Sequence, residues 1–107
     1  MDPNDPIALN DLAWILTIAD KLELRDGEEA MRLAKKAVEL TQTSEPVIIG
    51  TLAAAYAQTG QFSNAVEMAN LARDLALVTG QREIAAKNAE LLIRYSSGQT
   101  ADTPQAP

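Results

Sequence analysis

Alanine recurs along this chain at one fixed spacing. The segments 30–40 (AMRLAKKAVEL) and 65–75 (AVEMANLARDL) align with an offset of 35 residues. The equivalent pairs are Ala30/Ala65, Ala34/Ala69, Ala37/Ala72 and Leu40/Leu75. Spacings of three and four residues place these alanines on one face of a helix. Because helix propensity alone does not explain a shared period, we infer that the alanines let two helices pack closely.

A second pair of segments repeats upstream of the first. The segments 12–16 (LAWIL) and 52–56 (LAAAY) align with an offset of 40 residues. Leu12 pairs with Leu52, Ala13 with Ala53 and Leu16 with Tyr56. The two offsets differ by five residues, so we place an insertion at 21–25 between the helices of the first copy. The sequence therefore predicts a pair of helices that occurs twice.

The rest of the chain also predicts helices. Asp5-Pro6, Asp26 with Glu29 three residues later, and the proline of the segment TSEPV are typical helix starts. Gly60 fits the left-handed position that ends a helix. The predicted helices are 7–19, 27–41, 46–58, 63–78 and 81–96. We therefore expect an all-α fold of five helices.

Composition and charge exclude several classes of function. The 107 residues suit one small domain, and the chain has no cysteine and no histidine, which removes disulfides, imidazole bases and the usual zinc ligands. The net charge of −6 disfavours nucleic acid. Arg32, Lys35 and Lys36 share a helix face, but neighbouring glutamates dilute their charge. We interpret this basic cluster as a solvated surface.

No residue pattern predicts catalysis. The carboxylate pairs Glu28/Glu29, Asp20/Asp26 and Glu83/Glu90 are joined by no histidine, cysteine or phosphate-binding loop. We expect no enzyme activity, no metal and no cofactor. The first ten residues lack the basic and apolar regions of a signal peptide, and no apolar run approaches the ~20 residues of a membrane span. We expect no membrane partner and a cytoplasmic protein, or a periplasmic one if the chain is a piece of an exported protein.

The repeated helix pair resembles the tetratricopeptide repeat (TPR), whose pattern is W-x2-L-G-x2-Y, then A-x3-F, then P. Leu52, Tyr56 and Ala65 match that pattern. Ile49 replaces the tryptophan, Ala53 the glycine, Ala69 the phenylalanine and Leu77 the proline. The resemblance is to the C-terminal repeats of bacterial TPR proteins. It implies an α-solenoid of antiparallel helix pairs. Its parts are an extension (1–5), repeat one (6–43), repeat two (44–79), a closing helix (80–97) and a disordered tail (98–107).

The family resemblance also implies a site. In TPR proteins the first helices of successive repeats line a concave groove that binds a peptide or helix of a partner protein. The matching positions here are Asn10, Trp14, Thr17, Gly50, Ala54, Ala57, Gln58 and Asn88. None of them is basic, so we expect an apolar helix or an extended segment as the ligand. Leucine should then be tolerated at Ala57 better than at Ala53 or Ala65.

Two questions stay open at this point. Trp14 either anchors a partner in the groove or packs under the 21–25 insertion and stabilises the first repeat. Arrays of this kind usually need about three repeats to be stable. The alternatives to a simple binding module are therefore self-association into a homo-oligomer, or a C-terminal fragment of a larger repeat protein whose activity lies upstream.

Overall fold

The protein is all-helical in the parts that its computed structural model describes, residues 4–18 and 26–101. The helices are α1 (Pro6–Ile18), α2 (Gly27–Leu40), α3 (Pro46–Gln58), α4 (Phe62–Val78) and α5 (Arg82–Ser96). Each predicted helix is present, and the ends agree to within about one residue. The insertion at 21–25, residues 1–3 and residues 102–107 of the predicted tail lie outside the described residues.

The starts of α1 and α2 are capped by aspartate. Asp5 Oδ1 accepts hydrogen bonds from the backbone N–H groups of Ile7 (3.0 Å) and Ala8 (3.4 Å). Asp26 Oδ1 accepts one from Glu29 N (3.0 Å), as the sequence predicts. The Glu29 carboxylate does not complete a capping box, because it bonds Arg32 instead. Each aspartate thus satisfies backbone donors that the first turn leaves unpaired.

Three helices end in nearly the same three-residue sequence. Residues 59–61 and 79–81 read TGQ, and residues 97–99 read SGQ. The glycine has a positive φ at all three sites, between 75° and 80°. The glutamine N–H bonds the carbonyl five residues earlier, at 2.7–2.8 Å, and the hydroxyl before the glycine donates to carbonyls of the last turn. This is the Schellman arrangement that ends a helix, and it reverses the chain direction after α3 and α4.

Successive helices pack against each other along the chain, and α3 lies at the centre. Every helix contacts the next one, while α1 also contacts α3, and α3 also contacts α5. One core cluster joins residues of α1, α2 and α3, and a second joins residues of α3, α4 and α5. Tyr56 and Met68 pack against both clusters. The space between the two helix pairs is thus partly filled by Tyr56 and Met68.

The burial of the repeated alanines follows the sequence prediction. All six have no exposed surface. Two leucines of the repeat differ from this pattern: Leu40 is 41% exposed, and Leu12, the equivalent of the buried Leu52, is 36% exposed. The inner stripe of α1 instead comprises Leu9, Ala13 and the half-buried Leu16. The difference arises because no described helix packs on the side of α1 where Leu12 lies.

Candidate functional site: a groove across three helices

A groove of about 240 Å³ crosses α1, α3 and α5. Its walls are mainly apolar and come from all three helices. The lining residues are Trp14, Val47, Gly50, Thr51, Ile84, Lys87, Asn88 and Leu91. A cavity of roughly 150 Å³ lined by apolar side chains is large enough for benzene. The groove therefore has room for a large apolar side chain of a ligand.

Gly50 and Asn88 bring α3 and α5 close together at this groove. A Cβ atom on residue 50 would lie 2.9 Å from Asn88 Oδ1, which is closer than normal van der Waals contact. Asn88 is buried, and its Nδ2 donates a hydrogen bond of 2.9 Å to the carbonyl of Ile84 in the preceding turn. Because this bond holds the side chain of Asn88 in place, a larger residue at position 50 would require Asn88 or α5 to shift. The missing Cβ of Gly50 therefore allows the two helices to approach closely at this point.

Three of the eight residues predicted for the groove line it. Trp14, Gly50 and Asn88 come from α1, α3 and α5, and the structure brings them together at one opening. Trp14 is half-buried, so part of its ring is accessible to a ligand. The alternative role of Trp14, packing under the 21–25 insertion, falls on residues outside the described part of the chain.

The other five predicted residues lie elsewhere. Thr17, Ala54 and Ala57 are at most 1% exposed, so no ligand reaches their side chains in this conformation. Ala57 belongs to the second core cluster together with Ala53 and Ala65, and the expectation that it tolerates leucine loses its basis. Asn10 is buried in α1, and Gln58 lies against Gly27 at the start of α2. The predicted face was therefore too wide for a groove that lies along one edge of the first helices.

The sequence analysis missed five lining residues: Val47, Thr51, Ile84, Lys87 and Leu91. The signal that could have found them is spacing: residues 84, 87, 88 and 91 are three and four apart and form one stripe of a helix. The close approach of α5 to α3, which exposes this stripe to the groove, follows from Gly50 and could not be predicted from α5 alone.

Lys87 corrects the expectation that the groove has no basic residue. Its ammonium Nζ lies 4.0 Å from Glu90 Oε2, and both side chains are about half exposed. Exposed pairs at this spacing contribute little to stability and are screened by salt. Lys87 therefore places one solvated positive charge at an otherwise apolar opening.

The described residues contain neither a cluster that could hold a metal ion nor a helix that could cross a membrane. In residues 4–18 and 26–101, no group of three or more acidic side chains could hold a metal ion. No helix in the same ranges is long and apolar enough to cross a membrane. Within the basic cluster of α2, Arg32 pairs with Glu29, and Lys35 Nζ lies 5.5 Å from the centre of the Tyr56 ring.

Comparisons with protein-family models, with curated proteins and with solved structures found no match to this chain. A proposal for the function therefore rests on the geometry of the groove and on the sequence repeat.

Proposed function

We propose that the protein is a non-catalytic interaction module whose groove binds an extended or helical segment of a partner protein. The observation that carries this proposal is the apolar opening lined by Trp14, Val47, Ile84 and Leu91. Clefts with apolar walls and a few polar groups are the usual binding sites of proteins. Asn88 and Lys87 are the polar groups here.

The proposal includes a TPR-like arrangement of the helices. In it α1–α2 and α3–α4 are the two repeats, and α5 is the closing helix. Its support is the burial of all six repeated alanines and the contacts of α1 with α3 and of α3 with α5. In such an array the first helices of successive repeats lie side by side, and the groove of this protein runs across those helices.

Trp14 is the anchor in this mechanism. It is the one tryptophan of the chain, it is half-buried, and it stands at the α1 edge of the groove. Tryptophan residues in partly desolvated pockets often dominate the binding energy of an interface. We expect Trp14→Ala to lower the affinity for a groove ligand about 30-fold, which corresponds to ~2 kcal/mol.

A library of linear peptides displayed on phage tests this function. Selection on the wild-type protein should enrich peptides with a large apolar residue, and Trp14→Ala and Ile84→Asn should each bind the selected peptides more weakly. Ile93→Ala is the matched control, because Ile93 is an exposed apolar residue of α5 outside the groove. Circular dichroism verifies that each variant is folded. If no peptide is enriched, or if all variants bind equally, the groove is not the binding site.

Raising the salt concentration checks the type of contact. With one solvated lysine at the opening, affinity should change little between low and moderate salt. A steep loss of affinity with salt would mean that charge, and not apolar contact, holds the ligand.

A further inference from the structure

The outer face of α1, defined by Ile7, Asp11, Leu12 and Ile15, has no described helix packed on it. Ile7, Asp11 and Ile15 are four residues apart and therefore lie in one row along the helix. Ile7 is 68% exposed and Ile15 is 55% exposed. None of these four residues lines the groove, so the face is a second, partly apolar surface, and a proposal for it does not depend on the proposed groove function.

Two of the three apolar positions of this face are covered in α3, whereas Val47, the equivalent of Ile7, is 48% exposed. With the offset of 40 residues, Leu12 corresponds to Leu52 and Ile15 to Ala55. Leu52 is 5% exposed and Ala55 is fully buried, because both belong to the core cluster with α1 and α2. Leu52 and Ala55, which are buried in the core, thus have apolar equivalents on α1 that remain partly exposed. An α-helix that is apolar on all sides is typical of a helix with neighbours on all sides.

Asp11 decides what kind of neighbour fits this face. It lies in the middle of the face, it is the one charged residue of α1, and no described hydrogen bond or ion pair involves it. A carboxylate that a partner covers must be paired with a cation, since an unpaired buried charge is costly. A second copy related by a two-fold axis would place its own Asp11 near this one, and each chain carries a net charge of −6. Charge therefore disfavours a second copy and favours a basic partner.

We propose that the outer face of α1 binds an amphipathic helix of another protein, whose apolar residues cover Ile7, Leu12 and Ile15 and whose lysine or arginine pairs with Asp11. The negative charge of the chain attracts such a helix at long range. Contact with the isoleucines and the leucine supplies the apolar part of the binding. The ion pair sets the register of the bound helix along α1.

Two synthetic 18-residue peptides test the proposal. Both are helical and carry a leucine row, and they differ only in having Lys or Glu at the centre of that row. By fluorescence anisotropy, the wild-type protein should bind the Lys peptide about tenfold more tightly than the Glu peptide. The variant Asp11→Lys should reverse this preference. Equal affinity for the two peptides, no binding of either, or a preference that Asp11→Lys does not change would overturn the proposal.

Further variants separate this face from the groove. Ile15→Ser should weaken binding of the Lys peptide about tenfold, whereas the groove variant Ile84→Asn should leave it unchanged. If Ile84→Asn abolishes binding and Ile15→Ser does not, the peptide occupies the groove, and the proposal for α1 is wrong while the groove function stands. Sedimentation of the wild-type protein alone is the last test: a dimer that Ile15→Ser abolishes would make a second copy the occupant and overturn the basic partner.

Discussion

Helices α1 and α3 occupy equivalent positions in the repeat but lie in different surroundings. Both are 13 residues long and mostly apolar, and α3 carries no charge. Ten residues of α3 are buried, because α1 and α2 pack on one side and α4 and α5 on the other. On α1, Ile7, Leu12 and Ile15 are exposed. The difference teaches that apolar content alone does not predict burial; the number of neighbouring helices decides it.

Small residues mark the side of a helix that has a close neighbour. At equivalent positions α1 has Trp14 and Ile15, whereas α3 has Ala54 and Ala55, both fully buried. Position 10 of α1 is asparagine, whereas position 50 of α3 is glycine, opposite Asn88. These positions are more open on α1, which has large residues there. They face close neighbours on α3, which has small ones.

Exchanging the residue types between the two helices should have the largest effect. We expect Ala55→Ile to lower the free energy of unfolding by about 1–3 kcal/mol, because isoleucine overpacks a site with no free surface. The reciprocal change, Ile15→Ala, should alter it by less than about 0.5 kcal/mol, since residue 15 is exposed. Urea unfolding of both variants gives the comparison. Equal losses would show that α1 and α3 are packed alike.

A second substitution probes the closest approach of α3. Alanine is better than glycine in a helix by about 1 kcal/mol, but a Cβ on residue 50 meets Asn88 Oδ1 at 2.9 Å. We therefore expect Gly50→Ala to destabilise the protein by about 1 kcal/mol, since the contact outweighs the propensity. In an Asn88→Ala background the same change should stabilise it by about 1 kcal/mol.

This double-mutant cycle separates contact from propensity. A coupling of about 2 kcal/mol between positions 50 and 88 would confirm that the two residues set the spacing of α3 and α5. Additive effects would mean that α5 is free to shift away from α3, and the groove between them would then be less rigid than the structure indicates.

The sequence predicted the elements of the fold well, for identifiable reasons. Aspartate caps and glycines at helix ends are local signals, and each of them acts through backbone hydrogen bonds or backbone conformation of its own segment. The burial of the repeated alanines was predicted because a shared period indicates a shared neighbour. The exposure of Leu12 was not predicted. Its α3 equivalent, Leu52, is buried because it contacts another helix pair, and this contact cannot be read from the sequence of the helix itself.

The groove was harder to predict than the helices. Positions carried over from the family resemblance included Ala54 and Ala57, which the structure buries, and omitted Val47 and Ile84, which line the opening. Which edge of α3 remains open depends on how closely α5 approaches. The close approach involves residues 50 and 88, which are far apart in sequence. No local pattern reports it.

Tyr95 tests the second core cluster, where α5 packs on α3 and α4. It is 1% exposed, and its hydroxyl has no hydrogen-bond partner in the described part of the chain. We expect Tyr95→Phe to leave stability at pH 7 unchanged or raise it by up to about 1 kcal/mol, because it removes a buried unpaired polar group. A loss of more than about 1 kcal/mol would show that the hydroxyl has a partner. Tyr56→Phe, at a half-buried tyrosine, is the matched control.

The same residue should make stability fall at alkaline pH. Burial raises the pKa of Tyr95 above its usual value, so the native state favours the neutral phenol. The stability gained by keeping Tyr95 neutral is fully present below the pKa of tyrosine in the unfolded chain, about 10. It is lost as pH rises from there towards the native pKa. Wild type should therefore lose stability above about pH 10 more steeply than Tyr95→Phe. Parallel curves for the two proteins would mean that the Tyr95 side chain is not held in the core.

The smallest effect is expected at the surface of α2, where no neighbouring helix is involved. Arg32 hydrogen-bonds the Glu29 carboxylate, with Arg32 Nε 2.9 Å from Glu29 Oε2, and this bond lowers the pKa of Glu29 from its usual value. A lowered pKa stabilises the native state above the pKa of the unfolded glutamate, about 4.3, and the contribution is lost as pH falls through the native pKa. Because the pair is exposed, we expect Glu29→Gln to change the urea midpoint at pH 7 only slightly, and the difference from wild type to vanish in strong acid. Arg32→Gln is the matched control and should behave alike. If Glu29→Gln lowered the midpoint as much as Ala55→Ile does, surface charge would stabilise this fold as strongly as packing does. The number of neighbouring helices would then not explain the difference between α1 and α3.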